Sequence, residues 1–313
     1  MNTQLCDSGI DPASLVRYIE EQIYTLPGIS THRQTFTILL TGSRAVGQHT
    51  SQSDVDLDVL CPPEAYAAVH QASLMAGIIK SRRGFFCPLA GADFHRYFGP
   101  EMACPHFSVT PLNVVERQFR DYEDVPLWIW THARIITDPG GQFARIRDSF
   151  QGYPRDVLIR KIKHRCLLAD YAGIEMFPLH HSRDDELLPA ITALSTMIAE
   201  LLRFFFLVEG KPYPYMERLM QSARTTALGR EFGQHLQHVA ELIAGKASPE
   251  LPAWERLDRG LELLLCADRA PEAARLEEAC YAAMKAAGVD PAWVEADFDN
   301  IHELLWGELG PVP

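Results

Sequence analysis

The residues best suited to do chemistry sit in one short segment. Leu40-Thr41-Gly42-Ser43-Arg44-Ala45-Val46-Gly47 is followed by a polar loop, Gln48 to Gln52, and then by Ser53-Asp54-Val55-Asp56-Leu57-Asp58. Side chains alternate across a strand, so Asp54 and Asp56 present two carboxylates on one face, joined by Asp58 if the strand continues. Adjacent carboxylates repel unless a cation neutralises them. Clustered oxygen donors suit Mg²⁺, which takes one or two carboxylates together with substrate phosphates. Gly42-Ser43 ends the preceding apolar run. A glycine there permits close backbone approach, and exposed N–H groups with a hydroxyl can hold phosphate oxygens. Gly47 would shape the next turn. The bland reading of the same residues is a tight turn before an acid-rich edge strand.

The elements that must position this segment follow from hydrophobic spacing. Asp11-Pro12 starts an amphipathic helix over residues 11–24, with apolar Leu15, Val16, Ile19 and Ile23. Thr35 to Leu40 reads as a buried strand bounded by Thr41-Gly42, and Val55 to Leu60 as a second strand closed by Pro62-Pro63. Glu64 to Ala76 has helical spacing. Short strand-like runs follow at Gly77–Lys80, Gly84–Phe86, Ala92–Phe98 and His106–Pro111. After Tyr153-Pro154 the strand signals stop and helical periods take over, at 155–172, 186–208, 215–222, 227–244, 252–266, 271–287 and 291–305. The expected fold is α+β: a small mixed-sheet domain over 1–152, then an all-α helical bundle over 153–313.

Gly-Ser, a spacer and Asp-hydrophobic-Asp on the next strand resemble the signature of the DNA polymerase β-like nucleotidyltransferase superfamily. Within it the chain looks most like bacterial aminoglycoside and lincosamide nucleotidyltransferases, which carry a C-terminal helical domain. The stretch Leu127-Trp128-Ile129-Trp130-Thr131-His132-Ala133-Arg134-Ile135-Ile136-Thr137-Asp138-Pro139 also looks like this group. The resemblance implies a magnesium-dependent enzyme in which a nucleoside triphosphate is attacked at its α-phosphorus and pyrophosphate leaves. AMP would pass from ATP, or another nucleotide from its triphosphate, to a hydroxyl of a small-molecule acceptor such as an antibiotic. The metal would rest on Asp54 and Asp56. The nucleotide would lie against Gly42, Ser43, Arg44 and Ser53, with Lys161 of the helical domain at the phosphates.

A third carboxylate normally completes such a site from a later strand. Asp93 is the expected catalytic third acid, with Asp58 and Glu101 as rivals. If His106–Pro111 is instead the relevant strand it carries no acid, and the deprotonating group would be missing, come from the helical domain, or be His95 or His106. Lys161 and Arg165 share a helix face at four-residue spacing, although basic helix faces are usually solvated or paired with acids. His180-His181 and Asp184-Asp185-Glu186 look like a metal cluster but read better as a polar loop and helix cap. Tyr213 and Tyr215 stand near a loop that would suit an acceptor pocket, or simply pack on helix ends.

Composition narrows the function classes. The 313 residues carry a formal net charge of -12, which argues against a broad duplex nucleic-acid footprint and suits a cationic small acceptor. The seven cysteines are scattered with no C-x-x-C, so neither a disulfide framework nor a zinc site is indicated. No run of about 20 consecutive apolar residues and no signal peptide is read, so the expectation is a cytoplasmic monomer or homodimer with no membrane partner. Two other readings remain open: transfer to a protein or an RNA end, as in AMPylating antitoxins, and a degraded module that binds nucleotide without transferring it.

Overall fold

The computed structural model describes residues 8–79, 86–88, 94–101, 105–182 and 187–293. The chain divides into two compact units, Met1–Gln151 and Gly152–Pro313.

The first unit opens with helix α1, Pro12–Tyr18. The Asp11 carboxylate accepts from the free N–H groups of Ala13 and Ser14, and Pro12 takes the first turn where no N–H is needed. The helix runs on through a π-helical turn, Ile19–Ile23, whose Ile19 and Ile23 are buried with Leu15 and Tyr18. A 3₁₀ turn, Ser30–Thr35, leads into β1, Thr37–Thr41. Then come the short α2, Gly42–Ala45; β2, Asp56–Cys61; α3, Pro63–Met75; β3, Phe86–Pro88; α4, His95–Phe98; and β4, His106–Pro111. The unit closes with α5, Leu112–Arg120; α6, Asp124–His132; β5, Arg134–Thr137; and α7, Gln142–Ser149.

The described strands form one mixed sheet in the order β3-β4-β2-β1-β5. β1 runs antiparallel to β2 and β5, and β2 runs parallel to β4. Alternation sorts its faces. Leu57 and Val59 of β2 and Phe107 and Val109 of β4 enter the core beside Ile38, Leu40 and the helix residues Leu15, Tyr18 and Val69. Asp56, Asp58, His106 and Ser108 are therefore thrown onto the opposite face.

Several sequence expectations differ from this fold. Residues 94–98 are a turn and the helix α4 rather than a strand, and residues 77–79 are a turn that ends α3. Both are short runs, in which strand and helix periods cannot be told apart. The elements α5 to α7 and β5 were not anticipated; β5 is a four-residue strand that acquires its identity by pairing with β1.

The second unit is helical: α8, Arg155–Ser182; α9, Leu188–Leu207; α10, Met216–Ala223; α11, Ala227–Ile243; α12, Ala253–Leu265; and α13, Pro271–Ala286. Among the described residues α9 is the one helix long and apolar enough to cross a membrane, contrary to the expectation of none. Two-thirds of its apolar window is buried, and it serves as the core of the bundle. Its buried Glu200 accepts from Arg165, 3.0 Å away, and from Arg203, while Arg165 also donates to the Tyr213 hydroxyl at 2.6 Å. Arg165 and Tyr213 thus form part of an internal polar network. The expected helix over 291–305 lies mostly outside the described residues.

Candidate active site

Gly42 ends β1 with φ +65°, a conformation that side chains with a Cβ rarely adopt. A Cβ here would also stand 1.9 Å from Oδ2 of Asp56, so glycine alone lets the turn lie against that carboxylate. Ser43 follows, 1% exposed, and its Oγ has no hydrogen-bond partner among the described residues. Arg134 of β5 donates to the carbonyl of Ala45 at 2.7 Å and ties the far end of this turn to the sheet edge.

Opposite the turn, three side chains converge. Asp54 lies two residues ahead of Asp56, the first residue of β2. In the parallel β2–β4 register Asp56 stands beside His106, and the His106 N–H donates to the Val55 carbonyl at 2.9 Å. His106 Nδ1 lies 3.0 Å from Asp54 Oδ2 and 3.7 Å from Asp56 Oδ1. One donor atom from each of Asp54, Asp56 and His106 falls within 4.8 Å of the others, and no other His, Cys, Asp or Glu group converges this way among the described residues. Burial, and next the charge of Asp54, hold the Asp56 carboxyl above its ordinary range, with Asp58 adding and His106 opposing. Two partly exposed carboxylates and an imidazole are a donor set that fits a divalent cation, and a cation would relieve the repulsion.

Asp58 projects on the same face but is committed elsewhere. It accepts from the hydroxyls of Thr41, at 2.8 Å, and Ser108, and burial raises its pKa. Arg44, expected at the nucleotide, is 2% exposed and spends its guanidinium on main-chain carbonyls: Ser8 at 3.0 Å, Ser53 at 2.6 Å and Asp54 at 2.8 Å. It holds the loop that presents Asp54, and burial lowers its pKa against the pull of Asp54 and Asp56. Ser53 Oγ accepts from the Thr50 N–H at 2.9 Å and closes that loop.

Asp93 lies outside the described residues, as do Asp184, Asp185 and Glu186. Glu101 is exposed in a turn, and the His95 ring bonds the Gly99 carbonyl at 3.0 Å. Lys161 belongs to the helical unit, is 1% exposed and has its Nζ 5.6 Å from the centre of the Tyr153 ring. The strand carrying His106 is thus the neighbour of the two aspartates, which is the alternative in which that strand brings no acid, and it sets the His106 imidazole beside them. The only sequence signal was the alternation of His106 and Ser108 with Phe107 and Val109.

Residues 120–218 match a family described as a domain of unknown function (DUF4037). That match starts after the Gly42–Asp58 segment and His106. The chain is also similar to a nucleotidyltransferase-like protein from Exiguobacterium sibiricum 255-15. The identity is 12%, the likeness covers 90% of this chain and 79% of that one, and the TM-score is 0.41. A comparison with curated proteins finds no match.

Proposed function

We propose that this protein is a divalent-cation-dependent nucleotidyltransferase acting at the Gly42–Asp56 segment, with Mg²⁺ and a nucleoside triphosphate, ATP first, as co-substrate. The observation that carries the reading is the convergence of Asp54, Asp56 and His106 within 4.8 Å, on the face where Gly42 is packed against Asp56. Asp54 and Asp56 would hold the cation and His106 would complete its protein ligands. Bound there, the cation supplies charge neutralisation for the triphosphate and for the leaving pyrophosphate.

The chain's own residues do the positioning. The Gly42-Ser43 turn offers N–H groups and an uncommitted hydroxyl to phosphate oxygens, Arg44 and Ser53 fix the loop beneath Asp54, and Thr41 with Ser108 keep Asp58 from competing. The acceptor is a hydroxyl of a small molecule, an antibiotic being the class the resemblance implies. With β4 lacking any carboxylate, the proton of the attacking hydroxyl passes to Asp93 or to a group on the acceptor side. We place the enzyme in the cytoplasm.

The absence of an acid on β4 also favours a second reading, nucleotide binding without transfer. A pyrophosphate-release screen with the four triphosphates, Mg²⁺ and pooled hydroxylated acceptors separates the two. Acceptor-dependent release that disappears in Asp56→Asn supports transfer. Tight triphosphate binding with no release under any acceptor supports the sensor, and neither binding nor release overturns both.

A further inference from the structure

Four helices of the C-terminal unit, α8, α9, α12 and α13, line a partly open cavity of about 140 Å³. Leu201, Phe204, Leu264, Leu276 and Met284 make its walls largely apolar. A cavity of roughly this size admits a benzene-sized molecule. Into it also face Asp170 and, from α13, Glu277, while no lysine, arginine or histidine is among its lining residues.

Asp170 is the feature that packing alone does not explain. Its only hydrogen-bond partner among the described residues is the thiol of Cys166, with sulfur 3.9 Å from Oδ2, and a thiol is a weak donor. Burial raises its pKa to about 6, the Cys166 thiol opposing and the charge of Glu277 adding. Glu200, by contrast, is more deeply buried and has two arginines. Among the described residues no arginine, lysine or histidine lines the cavity with Asp170, and the element that would balance it is a positive charge small enough for the cavity. Phe204 and Tyr281 add aromatic rings, which attract ammonium groups.

We propose that this cavity binds a small primary amine with an apolar body, its ammonium against Asp170 and its body against Leu201, Phe204 and Met284. The proposal is independent of the reading given to Asp54, Asp56 and His106. A polycationic aminoglycoside is far too large to be the occupant.

The test uses the full chain and three probes of one shape: benzylamine, benzyl alcohol and toluene. Calorimetric titration should give benzylamine at least tenfold tighter binding than either neutral probe, with amide chemical-shift changes confined to α8, α9, α12 and α13. Asp170→Asn keeps the side-chain shape and removes the unfavourable buried charge, so it folds; in it the preference for benzylamine should vanish. Glu277→Gln, at the exposed rim, should reduce that preference less. Equal affinity for the three probes, a preference that survives Asp170→Asn, or shift changes located elsewhere would overturn the assignment. So would failure of all three to bind at their solubility limits, which would mark the cavity as packing space.

Discussion

Asp56 and Asp170 are both carboxylates pushed above the ordinary range by burial, yet their neighbourhoods differ in kind. Asp56 stands on an open sheet face with Asp54 beside it and an imidazole within 3.7 Å, so its surroundings already contain the other ligands of a doubly charged ion. Asp170 stands against leucines, a phenylalanine and a thiol, where the only other charged side chain lining the cavity among the described residues is a second carboxylate. The first arrangement needs a small, hard cation with several open coordination positions. The second has room for one singly charged group on an apolar body. Burial is the main cause in both and a nearby carboxylate adds to each, so it is the remaining neighbours that decide which cation would relieve the acid.

The largest expected effect is at the sheet. Asp56→Asn keeps the shape of the side chain and removes a charge, so turnover should fall by about 10³-fold, several kcal/mol of lost electrostatic stabilisation, with the fold intact. Steady-state pyrophosphate release with circular dichroism as the fold control checks this. Near-normal transfer would remove Asp56 from the site.

Asp170→Asn should act in the opposite sense, on stability. The folded-state pKa of about 6 exceeds the ordinary 3.8, so the folded protein holds this proton more tightly than the unfolded chain. Stability from this group is fully present below pH 3.8, is lost as pH rises toward 6 and stays lost above it. The penalty above pH 6 is at most about 3 kcal/mol. Asp170→Asn should therefore raise the denaturation midpoint at pH 7.5 and flatten the fall between pH 4 and 6, as urea titrations across that range would show. A variant less stable than the parent at pH 7.5 would mean that the carboxylate has a counter-charge.

His106 separates the two kinds of cation more finely. Mn²⁺ accepts a nitrogen donor more readily than the harder Mg²⁺, so His106→Asp should shift the Mn²⁺/Mg²⁺ affinity ratio toward Mg²⁺ by roughly 10-fold. Equilibrium binding of each ion, without nucleotide, measures it; an unchanged ratio would show that His106 only braces Asp54. The smallest effect belongs to Ser43→Ala. Because Oγ has no partner among the described residues, fold stability should hold while triphosphate affinity drops about fivefold, or ~1 kcal/mol, in a fluorescence titration. Unchanged affinity would exclude the hydroxyl from the phosphate site.

The sequence by itself determined what depends on neighbours a few residues apart. Asp54 and Asp56 fall on one side because strand side chains alternate, Gly42 marks a turn that needs positive φ, and α8 to α13 are legible because helices repeat apolar residues over long spans. Tertiary structure decided what depends on partners far along the chain. His106 reaches the aspartates only because β4 pairs in parallel with β2, some 50 residues away, and that register also gives Ser108 to Asp58. Arg44 looked like a phosphate ligand from its place beside Gly42-Ser43, but the loop carbonyls fold back and take its donors. Asp170 carries no signal at all in a helix of mixed composition. Its setting exists only once α9, α12 and α13 close around it, because desolvation is a property of the packed bundle and not of the residues that flank an aspartate in the chain.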